Sequence, residues 1–179
     1  MKRIYISFTL ALLVITSAAI SSCDKEQTLL LESKDFINNS TILIEFTCDG
    51  ANISPTLTWS NSLEETKSFA LICDDPNAPG GTFTHWIVYN IPTSTRGLDK
   101  NLPIQLVLNS GASQGKNDFG EIGYGGPCPP HGSTHHYYFK LYALDSMLDI
   151  SAGAAKIQVE NAMRGHILET AELIGLYNR

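Results

Sequence analysis

Two separated segments of the chain combine titratable side chains with residues that restrict the backbone. One covers residues 74–79 and is followed by His85, and the other covers residues 125–137. Each begins with turn-forming residues and continues into an apolar stretch of the kind that forms a strand. Imidazole and phenol groups can donate hydrogen bonds to an anion. If the two segments meet in space, they predict a pocket for a small anion such as phosphate.

The second segment, GGPCPPHGSTHHY, contains a loop with a rigid backbone. Three of its residues between positions 127 and 130 are prolines, which fix φ, and its glycines allow a ligand to approach closely. We expect the backbone N–H groups of Gly126, Cys128 and Gly132 to point inward and bind the anion. A rigid loop beside His and Tyr side chains is typical of a preformed pocket.

Several of these side chains also have an ordinary structural explanation. Asp75 precedes a proline and can simply cap a turn, and a histidine at the start of a strand is commonly structural. Within a pocket, we expect Asp75 to accept a hydrogen bond from a histidine ring and to raise the pKa of that imidazole. His135 and His136 alternate along one strand, so one of them faces outward. His131 lies at a predicted loop tip and is expected to be solvated.

Apolar and alternating runs predict the elements that must position these residues. Residues 42–46, 68–72, 85–91 and 137–144 have the β-branched and aromatic content of strands. Residues 151–165 have helical spacing, with Ser151 as the expected N-cap and Gly165 as the expected stop. The periodicity of residues 167–177 does not distinguish helix from strand. Mostly strands with one clear helix predict a mainly β (β-rich α+β) domain of two packed sheets with one or two short helices.

The first residues have the features of a targeting signal. Lys2 and Arg3 precede an apolar stretch over residues 4–20, and the segment ends in the sequence ISSC at Cys23. The stretch is short for a membrane span, and ISSC resembles a bacterial lipobox, in which the cysteine is lipidated and becomes the first mature residue. We therefore predict a lipoprotein signal peptide over residues 1–22 and a tether over residues 23–32. The alternatives are a plain secretory signal and an N-terminal anchor helix.

The lipoprotein prediction implies a location and a membrane attachment. The domain would be held on the bacterial cell envelope through Cys23, outside the cytoplasm, on the periplasmic or surface side. The net charge of −6 argues against broad nucleic-acid binding, which needs a basic face.

Three cysteines remain after Cys23, and they cannot all pair with one another. One disulfide with one free cysteine and three buried thiols are both open. We favour buried thiols, because Cys73 lies within an apolar run and a free cysteine packs as a small hydrophobic residue. Cys48 and Cys128 complete the set. None of them has C-x-x-C spacing, so no metal site is predicted.

Several motifs, in order along the chain, resemble those of the phosphatidylethanolamine-binding protein family, which includes the Raf kinase inhibitor proteins. D-P-[DN]-A-P followed by H-[WF]-x-V-x-N matches residues 75–79 and 85–90, and G-P-x-P-P-x-G-x-x-H-x-Y matches residues 126–137. Residues 48–55, Trp59, residues 165–166 and residues 175–179 are similar to the bacterial branch. The resemblance covers residues 33–179, which we take as one domain.

The resemblance implies two packed antiparallel sheets, with residues 167–177 as a final strand, and a pocket that takes phosphate, phosphoryl headgroups or similar small anions. It also implies a set of pocket residues by position: Asp75, Pro79, His85, Gly126, Pro129, His135 and Tyr137. Phe83 is expected at the mouth of the pocket. Cys128 stands where many relatives have glycine, so its thiol would narrow the pocket. Bacterial relatives often form dimers, so the resemblance is compatible with a homodimer.

The leading hypothesis is a lipid-anchored protein that binds a phosphate-bearing or other small anionic ligand. The alternative is a protein-interaction or inhibitor module, as some family members inhibit proteases, in which the pocket is regulatory or vestigial. We expect no catalysis and no cofactor. Ser133 lacks the strand-to-helix elbow of a hydrolase nucleophile, and Cys128 has no basic partner fixed by the sequence.

Overall fold

The computed structural model describes residue 1 and residues 28–179. In that part of the chain the strands are β1 (Leu30–Ser33), β2 (Ser40–Thr41), β3 (Leu57–Ser60), β4 (Ser68–Asp75), β5 (Phe83–Pro92), β6 (Gly97–Leu98), β7 (Ser113–Gln114), β8 (Thr134–Leu144) and β9 (Ile167–Asn178). One α-helix, α1 (Lys156–Met163), and a short 3₁₀ helix (Ile44–Phe46) accompany them.

The described strands form two sheets. A three-stranded antiparallel sheet has the order β1-β3-β6, and a six-stranded sheet has the order β2-β9-β8-β4-β5-β7. The large sheet is antiparallel except at one edge, where the short β2 runs parallel to β9. The predicted β-rich architecture of two sheets is confirmed, with this parallel edge as a refinement.

Strand β4 lies in the middle of the large sheet, and all eight of its residues are buried. Phe69, Leu71 and Cys73 face the core that includes the small sheet, whereas Ala70 and Ile72 face the cluster that includes α1. Burial of both faces explains why the predicted strand has a continuous apolar sequence rather than an alternating one. Because successive side chains alternate, the two aspartates at the end of β4 must face opposite sides of the sheet.

Residues 42–46 do not form the predicted strand. Ile42 and Phe46 are buried, but Leu43 and Ile44 between them are exposed. Buried positions four residues apart suit a turn of helix better than a strand, and the Thr47 N–H closes that turn on the carbonyl of Ile44 at 3.0 Å. The prediction was wrong here because it was based on the β-branched residues of the segment and not on the spacing of its buried residues.

The predicted helix is shorter than its sequence pattern. It begins after Ala155 rather than at Ser151, since Gly153 adopts a positive φ of 85° and breaks the helical path. Gln158 Oε1 accepts a hydrogen bond from the Ala155 N–H at 2.9 Å, which satisfies a free donor at the helix start. Gly165 follows the last helical turn with φ of 84°, as expected for a helix stop. The ambiguous segment after it is strand β9.

The predicted signal peptide over residues 1–22 and the lipidated Cys23 lie outside the described residues. Part of the predicted tether is in the folded domain, because β1 begins at Leu30 and both Leu29 and Leu31 are buried in the core. Among the described residues, no helix has the length and apolarity needed to cross a membrane.

Candidate functional site

A β-bulge near the start of β5 aims His85 at the neighbouring strands. Consecutive β4 residues Cys73 and Asp74 pair with Trp86 and Thr84, which leaves His85 between them without a partner. His85 therefore lies on the same face as Trp86, where simple alternation would place it on the opposite face. Bulges commonly redirect a side chain next to a binding site. The sequence motif contained His85, but periodicity could not show this change of face.

Strand β8 supplies the other ring groups of the site. His135 and Tyr137 are both buried on this face, and His135 Nδ1 lies 2.7 Å from Asp75 Oδ2. His136 faces the other way, where its Nδ1 lies 3.1 Å from the side-chain oxygen of Asn77. Asp75 thus orients a histidine, as predicted, and one of the two adjacent histidines points away from the pocket.

His85 is held by the backbone of the second segment. Its Nδ1 lies 2.7 Å from the carbonyl oxygen of Gly125, which can only accept, so Nδ1 carries the proton and Nε2 is left for a ligand. Burial lowers the pKa of His85, and the carbonyls of Gly125 and Gly126 and the Asp75 charge oppose that shift only in part. Asp75 acts to raise the pKa of this imidazole, but burial outweighs it. With no ligand bound, this ring is neutral at pH 7.

The hydroxyl of Tyr137 is buried and has no hydrogen-bond partner among the described residues. Its ring packs edge-on against His85, with 5.1 Å between the centroids. Burial, and secondarily the Asp75 charge, raise the pKa of Tyr137 well above its ordinary value, while the Cys128 backbone N–H beside it acts in the opposite direction. The phenol therefore keeps its proton and stays a donor. A buried donor without a partner is costly, which makes this atom a marker for a ligand.

Only one of the three predicted backbone donors remains for a ligand. The Gly126 N–H donates to Asn52 Oδ1 at 2.7 Å, and the Gly132 N–H donates to the carbonyl of Arg179 at 2.8 Å. These two predictions were wrong because the loop uses its N–H groups to bind other parts of the domain. The Cys128 N–H makes no hydrogen bond to the described residues, and its proximity acts to lower the pKa of Tyr137.

A disulfide joins Cys48 to Cys128, while Cys73 is a buried free thiol. The preference for three buried thiols was wrong, because residues far apart in sequence meet where the 46–52 segment packs on residues 124–132, which we call the pocket loop. Since the Cys128 sulfur is bonded to Cys48, it is not the free thiol that was expected to narrow the pocket. Burial is the main cause that raises the pKa of Cys73 well above its ordinary value, so this thiol stays protonated.

Residues 46–52, which we call the clamp segment, bind the outer side of the pocket loop through four contacts. Besides the disulfide and the Asn52 contact, the Cys48 N–H donates to Pro127 O at 3.1 Å and the Tyr124 hydroxyl donates to Phe46 O at 2.8 Å. Asn52 has a positive φ of 55°, a conformation that asparagine tolerates better than most residues. The sequence signal for the clamp segment was its similarity to the bacterial branch, which did not indicate these contacts.

Aromatic rings form one wall of the site. Phe83 lies 5.2 Å from the His85 ring and 4.7 Å from Phe119, measured between centroids. Phe119, which belongs to none of the sequence motifs, also packs edge-on against His85 at 5.4 Å. Pro129 is buried within the pocket loop, whereas Pro79 is exposed in the turn between β4 and β5.

A cavity of about 210 Å³ adjoins the pocket loop. It is lined by Cys48, Asn52, Phe119, Glu121, Gly125, Gly126 and Cys128. Within residues 28–179, no group of three or more His, Cys, Asp or Glu side chains is placed to hold a metal ion. The chemistry available in this part of the molecule is therefore hydrogen bonding by imidazole, phenol and one backbone N–H.

Comparison with known proteins places this arrangement in a family. The family model described as "Phosphatidylethanolamine-binding protein" matches residues 32–178. A UPF0098 protein of Methanothermobacter thermautotrophicus is 51% identical over 149 residues, which are 83% of this chain and 98% of that protein. The UPF0098 protein YbcL of Escherichia coli is 36% identical over 182 residues, covering 99% of this chain and 98% of YbcL.

Solved structures agree with the sequence comparisons. A phosphatidylethanolamine-binding protein homologue from Chlamydia trachomatis has a TM-score of 0.78 at 40% identity, covering 86% of this chain and 99% of that one. Escherichia coli YbcL has a TM-score of 0.79 at 34% identity, covering 84% and 98%. Two packed sheets, with His85, His135 and Tyr137 brought together at the bulged end of β5, form the β-rich fold of a family of small-ligand-binding domains. The chain belongs to the phosphatidylethanolamine-binding protein family.

Proposed function

We propose that this domain binds a small oxyanion, such as phosphate or the phosphoryl group of a larger molecule, between His85, His135 and Tyr137. The observation that carries the proposal is the buried Tyr137 hydroxyl, a donor without a partner among the described residues. The His85 and His135 rings lie on the same face, and their Nδ1 atoms already make hydrogen bonds to Gly125 O and to Asp75. Their Nε2 atoms are the remaining polar positions of the rings, and an oxygen-rich ligand suits such a set of donors.

Each group has a distinct role in this proposal. Tyr137 Oη and the Cys128 N–H donate to the ligand oxygens. His135 lies against the Asp75 carboxylate, and this contact fixes the ring so that Nε2 faces the ligand. His85 is neutral in the empty site, so its Nε2 donates only after taking up a proton. Anion binding therefore brings a proton into the pocket, either from solvent or on the ligand itself.

The site supports binding rather than turnover, and we infer that the domain is not an enzyme. Ser133 Oγ donates to the carbonyl of Pro130 at 2.7 Å at the surface, and the Cys128 sulfur is tied up in a disulfide. Neither side chain is poised as a nucleophile beside a base.

Calorimetric titration with inorganic phosphate and phosphorylethanolamine tests the proposal. Both are expected to bind, and ethanolamine, which lacks the phosphoryl group, is expected not to bind. Tyr137→Phe should weaken phosphate binding by about tenfold, the value of one hydrogen bond to a charged group. Tyr138→Phe, on the opposite face of β8, is the matched control and should bind normally. No heat of binding at millimolar phosphate would overturn the proposal, and an unaltered Tyr137→Phe variant would overturn the assigned site.

We further propose that the domain is lipid-anchored through Cys23 and works outside the cytoplasm. The ISSC sequence supports the anchor, and the Cys48–Cys128 disulfide supports an oxidising compartment. In a bacterial host, the full chain should incorporate labelled palmitate and partition into detergent, and Cys23→Ser should abolish both. Equal labelling of the Cys23→Ser variant would overturn the anchor.

A further inference from the structure

The Cys48–Cys128 disulfide lies at the surface, where both cysteines line the cavity beside Gly125 and Gly126. Both cysteines are exposed, in contrast to the buried Cys73. Disulfide exchange requires a thiolate to reach one of the two sulfurs, so exposure decides whether a bridge can be opened in the folded protein. Accessible disulfides are the ones that proteins use for exchange, whereas buried ones are structural.

A positively charged side chain lies beside one of the two sulfurs of the bridge, that of Cys128. Arg179 Nη1 lies 3.5 Å from the Cys128 sulfur, and its Nη2 lies 2.9 Å from Asp49 Oδ1. The hydrogen bond from the Tyr177 hydroxyl is the main cause that lowers the pKa of Asp49, so the carboxylate is ionised and holds the guanidinium in place. A cation next to one sulfur stabilises a thiolate there and makes that sulfur the better leaving group. Cys128 is therefore the leaving sulfur, and Cys48 is the sulfur that is attacked.

We propose that Cys48–Cys128 is a thiol–disulfide exchange site whose state controls anion affinity in the neighbouring pocket. The co-reactant is a cellular thiol or dithiol. Its thiolate forms a bond to the Cys48 sulfur while the Cys48–Cys128 bond breaks, and the electron pair leaves on the Cys128 sulfur beside Arg179. A dithiol then uses its second thiolate to displace Cys48, so that the protein gains two thiols and the partner becomes a disulfide. The control of affinity rests on the proposed anion-binding function.

The bridge is coupled to the pocket through the Cys128 backbone. Cys128 lies three residues after Gly125, whose carbonyl oxygen is 2.7 Å from His85 Nδ1, and both residues line the cavity beside the loop. The Cys128 side chain ties this loop to the clamp segment. After reduction, the Cys48 N–H and Asn52 still hold the loop at Pro127 and Gly126, but Cys128 itself is released. The released Cys128 also places a thiolate near the site of an anion. Both effects weaken anion binding, so the oxidised form is the form with higher affinity.

The exchange site itself is tested without any anion. The folded domain is incubated with glutathione, its free thiols are alkylated, and the modified peptides are identified by mass spectrometry. Glutathione is expected on Cys48 in the native protein, with Cys73 unmodified. Arg179→Gln should slow the exchange several-fold, and Arg164→Gln, at an exposed position, should not change it. A bridge that reacts only after unfolding would overturn the site, and an adduct confined to Cys128 would overturn the role of Arg179.

The coupling is tested by calorimetry with phosphate on the oxidised domain, the reduced domain and the Cys48→Ser/Cys128→Ser double variant. Circular dichroism first establishes that all three are folded. Reduction and the double substitution are each expected to weaken phosphate binding by about fivefold or more, the range of ordinary coupling between sites. Equal affinities would overturn the coupling. If no form binds phosphate, the proposed function and the coupling are both overturned. The exchange site is then still decided by the alkylation result alone.

Discussion

Replacing both bridged cysteines by alanine is expected to lower the free energy of unfolding by about 4 kcal/mol. The bridge joins residues 80 positions apart. In the chain-entropy treatment, a crosslink over a loop of that length restricts the unfolded chain by about 4.5 kcal/mol at 25 °C. The Cys48 N–H to Pro127 O and Gly126 N–H to Asn52 Oδ1 hydrogen bonds need no sulfur, so the folded state should keep its clamp segment.

Guanidinium denaturation of the wild type and the Cys48→Ala/Cys128→Ala variant measures this loss. The melting temperature of the double variant should also lie roughly 8–16 °C below that of the wild type, since a chain of this size loses about 2–4 °C for each kcal/mol. Cys73→Ala serves as a control, because it removes a buried cysteine but leaves the bridge intact. Its stability should still fall when a reductant is added, whereas that of the double variant should not. A loss below about 1 kcal/mol in the double variant would refute the reasoning from loop entropy.

Three further predictions concern a buried histidine, a closely packed glycine and a buried carboxylate. The folded-state pKa of His85 lies below its unfolded value of about 6.5, so stability should fall as pH drops below that value, with a slope of at most about 1.4 kcal/mol per pH unit. Denaturation at several pH values should show this slope in the wild type but not in His85→Gln, and equal slopes would contradict it. Gly126→Ala would bring a Cβ to 2.4 Å from Phe46 O, so denaturation should show a loss of about 1–3 kcal/mol. Gly80→Ala, with open space around its Cβ, should be neutral, and a neutral Gly126→Ala would contradict the close packing of the clamp segment. Lys156→Met leaves the buried Asp74 with Lys140, 3.8 Å away, and with the Thr84 hydroxyl, which donates to it at 3.1 Å. The substitution should cost about 2 kcal/mol, less than for a fully buried pair because the lysines are partly exposed. Lys100→Met, in an exposed pair with Glu45, should cost no more than about 1 kcal/mol, and equal costs would contradict the role of burial.

Much of the large sheet could be predicted, because its strands have strong local signals. The apolar run of β4 and the alternating aromatic residues of β8 were visible in the sequence, and both strands form where expected. Strand β9 was ambiguous from periodicity and was assigned only through the family resemblance. Residues 42–46 and the start of α1 were mispredicted, because tertiary packing and the positive φ of Gly153 outweighed local propensity there.

The residue types of the site could be predicted, but its geometry could not. Asp75 and His135, which lie 60 positions apart, make contact between two strands. The family motifs indicated that both residues belong to the pocket, but not that they contact each other. The bulge that turns His85 into the pocket depends on the register between β4 and β5, which a single sequence does not show. Phe119 and Asn52 lie in loops without a periodic signal, and their roles follow only from their long-range contacts.

The central claim is that an oxyanion binds between the two imidazole Nε2 atoms and the Tyr137 hydroxyl. The most direct test is ¹⁵N NMR of the histidine side chains during a titration with phosphate at neutral pH. In the free domain, Nε2 of His85 should have the chemical shift of an unprotonated ring nitrogen. On saturation with phosphate, the Nε2 signals of His85 and His135 should both move, with that of His85 moving toward the protonated value. Saturable phosphate binding that leaves both signals unchanged would contradict the account.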